Sequence, residues 1–237
     1  MQVQCEKLYI GGIFFRESMN SAFILSFLSD LRRNNNRNWF EKNKYRYKEA
    51  LGYFTEVVHE IIKELGRTEP EISLLEPKDC IFRIYRDIRF SKDKTPYKLH
   101  FGAYFSAGGK SGAQAGYYLH FEPEDESFLG GGLYHPAAEK LAKVRQEIDY
   151  NASELATIVK GKNFKRIFGE IQGESLVRPP KGYSEDHPQI ELLKLKDFFV
   201  IHKLSDKSIK EKNFVRNAVS KYKTMKPFND FLNVAIS

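Results

Sequence analysis

Between Phe82 and Gly102 the chain reads FRIYRDIRFSKDKTPYKLHFG, which sets Arg83, Arg86, Arg89, Lys92, Lys94 and Lys98 among strand-forming aromatic and β-branched residues. Burying unpaired charge is costly, so these cations need either carboxylates of the chain itself or an anion from outside. Guanidinium groups grip phosphate or carboxylate through paired N–H donors, and a lysine ammonium adds a point charge. The expected ligand-binding residues are therefore Arg83, Arg86, Arg89, Lys94 and Tyr97, in a basic cleft extended by Lys98 and walled by Tyr85, Phe90 and Tyr97. Asp87, Tyr97, His100 and the later His187 are the candidates for acid/base chemistry if the ligand is a substrate. The opposing reading is structural, with Asp87, Asp93 and Asp186 holding the arginines internally. Strand alternation sets Arg86 beside Ile84 and Ile88, which makes it the most buried of the three arginines.

Other stretches exclude chemistries. AGGKSG at 107–112 lacks the first glycine of a phosphate-binding loop, because Tyr104 occupies that place, and it reads as a hairpin tip. GGGLYHP at 130–136 lets backbone come close to another group just before a helix, either to pack the sheet or to offer free N–H groups to an anion. The histidines at 59, 100, 120, 135, 187 and 202 form no H-x-x-x-H or Cys/His ligand spacing, so neither a metal nor a cofactor is expected. Asp186-His187-Pro188 also fits a helix start, with either of the first two as a cap. No serine occupies a nucleophile elbow.

The elements that must position these groups follow from periodicity. SAFILSFLSDLRR has helical spacing and stops at Asn34–Asn36. A second helix is expected over about 37–65, with Tyr47, Leu51, Phe54, Val58, Ile61 and Leu65 on one face, antiparallel to the first. Strands are expected at 80–86, 99–106, 115–122 and 127–134, and a further one in DFFVIHKL. Helical patterns follow Pro136, resume at 151–168, and return at 207–222 and 227–236. The fold class is α+β: one domain over 1–237, with a largely antiparallel central sheet of four to six strands packed with N-terminal and C-terminal helices.

A chain of 237 residues, 41% hydrophobic and 29% charged, can bury a core without disulfides. Cys5 and Cys80 lie far apart and are expected to be free thiols in a reducing compartment. The first residues lack a secretory pattern and no apolar run suits a membrane span, so a cytoplasmic protein without a membrane partner is expected. The net charge of +7 is unevenly spread. Segments 81–100 and 194–226 carry excesses of +4 and +7, against −4 over 120–150. The second excess reads as a solvated helix face.

From Arg83 to Tyr97 the chain resembles the signature R-x-x-R-D-x-R-F-x-x-x-K-x-x-Y of a bacterial and fungal family, the domain of unknown function DUF2461. NNNRNWFEKNKYRY, KTPYKLHFG, GGGLYHP and PPKGYSEDHPQIELLKLK extend the resemblance over nearly the whole chain. It implies a bacterial protein of about this length but no activity, cofactor or substrate. Function is left to the residues: an anion site for a phosphate- or carboxylate-bearing ligand or nucleic acid, an enzyme acting on such a small substrate, or purely structural arginines. Oligomeric state has no signature here. If nucleic acid is the partner, binding should be electrostatic, each contacted phosphate adding roughly −0.9 to the log–log salt slope on duplex DNA. Gel-shift titrations across a salt series test this, and absence of binding even at low salt removes nucleic acid from consideration.

Overall fold

The computed structural model describes residues 20–237, so the expectation for Cys5 lies outside the described residues. In chain order the helices are α1 (Ser21–Arg33), α2 (Arg37–Lys42), α3 (Lys44–Leu65), α4 (Pro70–Ser73) and α5 (Pro77–Cys80). Strands β1 (Phe101–Phe105), β2 (Gly116–Phe121) and β3 (Ser127–Leu133) come next. Then follow α6 (Ala138–Lys160), α7 (Lys162–Phe168), α8 (Ile190–Leu193), β4 (Phe198–Leu204), α9 (Asp206–Ile209) and α10 (Phe214–Ile236). The fold is α+β, with an antiparallel sheet in the order β1-β2-β3-β4 and helices at both ends of the described chain.

Asparagines organise the N-terminal helices. Asn20 caps α1 by accepting the Phe23 N–H at 3.0 Å, and Asn36 caps α2 by accepting that of Trp39 at 2.9 Å. The single helix expected over 37–65 is in fact two, broken at Asn43. The Asn43 side chain donates to the Trp39 carbonyl at 2.9 Å, competing with the helical backbone as short amides do. Helix α1 then packs on α3 as expected, burying Ile24, Phe27, Leu28 and Leu31 against Phe54, Val58 and Ile61.

Alternation along the strands separates two faces. Phe101, Ala103, Phe105, Tyr117, Leu119, Phe121, Leu129 and Val200 enter the core. Helix α3 meets them through Phe54, 5.3 Å from Phe101 and 5.4 Å from Phe121, and α10 through Tyr222, 5.0 Å from Tyr117. The opposite face carries His100, Gly102, Tyr104, Tyr118, His120, Glu122, Phe128 and Gly130.

Three further expectations change. Residues 80–86 form no ladder strand: only Ile81↔Ala103 and Tyr85↔Tyr97 are bridged, with Phe82 N–H on the Gly102 carbonyl at 2.9 Å. A regular ladder would hold Arg86 in the same row as buried Ile84, and the irregular edge avoids that cost. The C-terminal patterns at 207–222 and 227–236 resolve into short α9 and one long α10 that runs through Pro227. Burial of Met225, Phe228, Phe231 and Leu232 around the proline outweighs an interior cost of about 3 kcal/mol. Helix α6 begins two residues after Pro136 and bends at Asn151 rather than starting anew there.

AGGKSG is the β1–β2 connection, as expected, and contains a single 3-10 turn at Gly109–Ser111. Cys80 is buried and free, and burial pushes its thiol up to about 12. No helix among the described residues is long and apolar enough to cross a membrane.

The glycine run serves close packing. A Cβ on Gly131 would lie 2.2 Å from Met225 Sδ of α10 and 2.5 Å from the Gly116 carbonyl oxygen. Gly131→Ala should therefore destabilise the protein by about 1–3 kcal/mol in urea unfolding. Gly52→Ala, on an exposed helical position with nothing within 4 Å, should stabilise it by about 0.5–1 kcal/mol. Equal effects of the two substitutions would contradict this account of the run.

Candidate functional site

The arginine segment is an irregular, bridged edge followed by a loop, and its charges have different fates. Arg86 is the least exposed of the three arginines. Its Nη1 meets Asp93 Oδ2 at 2.5 Å and donates to the Thr95 carbonyl at 3.1 Å and to the Thr95 hydroxyl. Arg89 pairs with Asp87 at 2.6 Å on the surface, so Asp87 serves as a partner to arginine. Lys94 donates to the Ile88 carbonyl at 3.0 Å. Asp186 contacts none of them, its own N–H reaching Ser184 Oγ at 3.3 Å.

Tyr97 is buried. Its ring stacks on Phe40 at 3.9 Å, and its backbone is matched by the Asn35 amide, which donates to its carbonyl at 2.9 Å and accepts its N–H at 3.2 Å. Beside it lies an open groove of about 610 Å³ lined by Asn35, Arg37, Asn38, Lys94 and Thr95. His187 is held locally: Nε2 lies 2.9 Å from Asp149 Oδ1, and Nδ1 accepts the Gln189 N–H at 3.1 Å.

Arg83 and Lys98 differ from Arg86 and Arg89. Neither makes an ion pair among the described residues. Lys98 is half-buried, with Nζ 5.5 Å from the Phe82 ring centroid. Burial, aided by the Arg83 charge, pushes its ammonium down from the usual lysine value.

The β1–β2 register joins His100 to two residues that sequence spacing left unmarked. Phe101 lies opposite Phe121, so His100 comes beside His120 and Glu122 on the same face. The two imidazole centroids are 4.1 Å apart, and His120 also stacks on Phe128 at 4.5 Å. His120 Nε2 is 2.8 Å from Glu122 Oε2, His120 Nδ1 is 3.2 Å from the Tyr118 hydroxyl, and His100 Nδ1 is 3.9 Å from Glu122 Oε2. Arg32 of α1 holds Glu122 Oε1 at 2.5 Å and also reaches Glu124. Burial pushes His100 down to about 3, helped by His120 and Lys98, and His120 down to about 4. Both rings are therefore neutral at pH 7. The available signal was H-x-E at 120–122, two groups on one face of a strand, but their third member required the register of the neighbouring strand.

Residues 23–231 match the family model described as "Conserved hypothetical protein (DUF2461)". The chain belongs to the DUF2461 family. No curated protein and no solved structure matches it. The family description names no chemistry, so the side chains alone carry the functional argument for this DUF2461 protein.

Asp93 gives a pH-dependent test of the loop. The Thr95 N–H and the Arg86 guanidinium hold its carboxyl down to about 2. An unfolded aspartate titrates near 3.9, so the stabilisation is fully present above that value and is lost as pH falls through about 2. The Thr95 amide resonance should titrate near 2 in the wild type and closer to the ordinary aspartate value in Arg86→Met. A wild-type midpoint already at the ordinary value would show that the contact does not persist in solution.

Proposed function

We propose that this protein binds a small ligand bearing a phosphate or carboxylate, with Arg83 and Lys98 as its charge partners. The observation that carries the reading is Lys98: half-buried, beside a second cation, and without a carboxylate among the described residues. A desolvated cation lacking a counter-ion is unfavourable in the free protein, and an arriving anion recovers that cost. Phe82 and Tyr118, whose rings lie 6.3 Å apart, supply apolar surface next to the charge. Of the residues first singled out in this segment, Arg83 makes no ion pair among the described residues and only acts on Asp87 through its charge, while Arg86 and Arg89 are paired with Asp93 and Asp87. That internal pairing favours a small anion over nucleic acid, which needs a longer row of available cations.

An enzyme acting on the same class of ligand is the second reading. It is favoured by the placement of His100, the acid/base candidate, beside His120 and Glu122 on one face of the sheet.

Calorimetric titration with inorganic phosphate and with succinate at low ionic strength tests the binding. Lys98→Met and Arg83→Met should each weaken it roughly 10–100-fold, the size of one charge-assisted hydrogen bond. Arg89→Met should leave it unchanged. Lys98→Met should melt no lower than the wild type, because it removes an uncompensated cation. Wild-type affinity in the Lys98 and Arg83 variants, or no binding of either anion by the wild type, would refute the assignment.

A further inference from the structure

We propose that His100, His120 and Glu122 form a binding site for a divalent first-row transition metal, with coordination positions left open for a small ligand. Each residue offers one ligand atom, and the three atoms lie within 4.8 Å of one another. Zinc bonds nitrogen and oxygen at about 2.0–2.2 Å, which places ligand atoms roughly 3–3.5 Å apart around the ion. The His120–Glu122 separation of 2.8 Å already lies near that range, so His100 is the group that must close. It is free to do so: its side chain is 27% exposed, and its ring makes no hydrogen bond among the described residues.

The surroundings suit a ligand set. Imidazole is the commonest protein ligand for such metals, and both rings present a nitrogen toward Glu122 Oε2, at 2.8 Å for His120 and 3.9 Å for His100. Arg32 occupies Glu122 Oε1 and leaves Oε2 turned toward the imidazoles, the arrangement of a monodentate carboxylate held by an outer partner. Without metal, the hydrogen-bond pattern has Nε2–H of His120 donating to Glu122 and the Tyr118 hydroxyl donating to Nδ1. Metal on Nε2 selects the other tautomer, with Nδ1–H donating to the Tyr118 oxygen, so no net proton need leave the ring. Stacking against Phe128 holds the ring plane through that exchange.

Two imidazoles and one carboxylate select zinc, iron(II), cobalt or nickel over calcium and magnesium, which take oxygen ligands. Three protein ligands are the pattern of a site that keeps a position open, in contrast with a closed structural set of four. A hydrogen-bonded cluster without metal is the competing description. It accounts for His120 and Glu122, which are already hydrogen-bonded to each other, but gives the His100 ring no hydrogen-bond partner among the described residues. Arg32 and Lys98 flank the site with positive charge, opposed by Glu122 and Glu124. Affinity should consequently fall short of a closed structural site.

The test uses the full chain after chelator treatment, titrated with zinc by calorimetry and with cobalt by visible d–d absorption. One equivalent of either metal should bind. His100→Ala and Glu122→Gln should each abolish the cobalt spectrum, and Tyr118→Phe should weaken zinc about 10–100-fold, the usual effect of losing an outer partner. His59→Ala and His187→Ala, at histidines outside the cluster, should bind as the wild type does. His100→Ala is the deciding variant, because its ring lies at the margin of the sheet face, 27% exposed, and can be removed with the core intact. Failure of the folded wild type to bind one equivalent overturns the proposal. So does an unchanged cobalt spectrum in His100→Ala. Because the titrant is metal alone, neither result depends on the phosphate-binding reading.

Discussion

The antiparallel pairing of β1 with β2 is the constraint on which both the core and the site depend. Phe101 opposite Phe121 puts two aromatic rings under α3, and one residue away in each strand the side chains turn to the other face. The same register that buries Phe101, Leu119 and Phe121 therefore assembles His100, His120 and Glu122. A slip of one residue would send the imidazoles into the core and the phenylalanines to the polar face. Apolar burial thus enforces the chemistry-bearing arrangement indirectly. The polar cluster does not have to be the source of its own order.

Helix α1 ties the two faces together. Phe27 stacks on Phe101 at 6.3 Å, which docks the helix on the sheet's edge. Further along the helix, Arg32 reaches Glu122 and Glu124 just beyond β2. Burial at Phe27 supplies the docking energy, and the ion pairs orient a carboxylate. Partly exposed pairs of this kind contribute little to stability on their own, so orientation is the larger consequence.

The two groups of cations show how context divides one basic segment. Arg86 lies where the chain can fold Asp93 and Thr95 back upon it, and the loop 87–96 closes around its guanidinium. Lys98 lies on the bridged edge beside β1, where its backbone N–H is committed to the Ile84 carbonyl at 2.8 Å and its neighbours are Phe82 and Arg83. One cation has become part of the scaffold. The other remains half-buried and without an ion pair among the described residues.

Much of this protein was legible from local pattern. Helical spacing marked α1 and the body of α3, alternating aromatic runs marked β1 to β4, and glycine content marked the hairpin tip and the close approach at β3. These features follow from periodicity and backbone sterics, which act over a few residues. The break at Asn43, the passage of α10 through Pro227 and the bridged edge at 80–86 were not legible, because each is a contest between local preference and packing against distant residues. The arginine spacing announced a charged segment but not which arginines would find carboxylates, since partner choice depends on how the following loop returns. His100 was visible as a single candidate. Its union with His120 and Glu122 came only from the β1–β2 register, because hydrogen-bonded pairing alone brings residues twenty positions apart within the reach of one ion. Sequence by itself determined the element types, the sheet's two-faced character and the excess of positive charge; tertiary structure decided which charges remained available, because neutralisation and ligation act between side chains brought together in space.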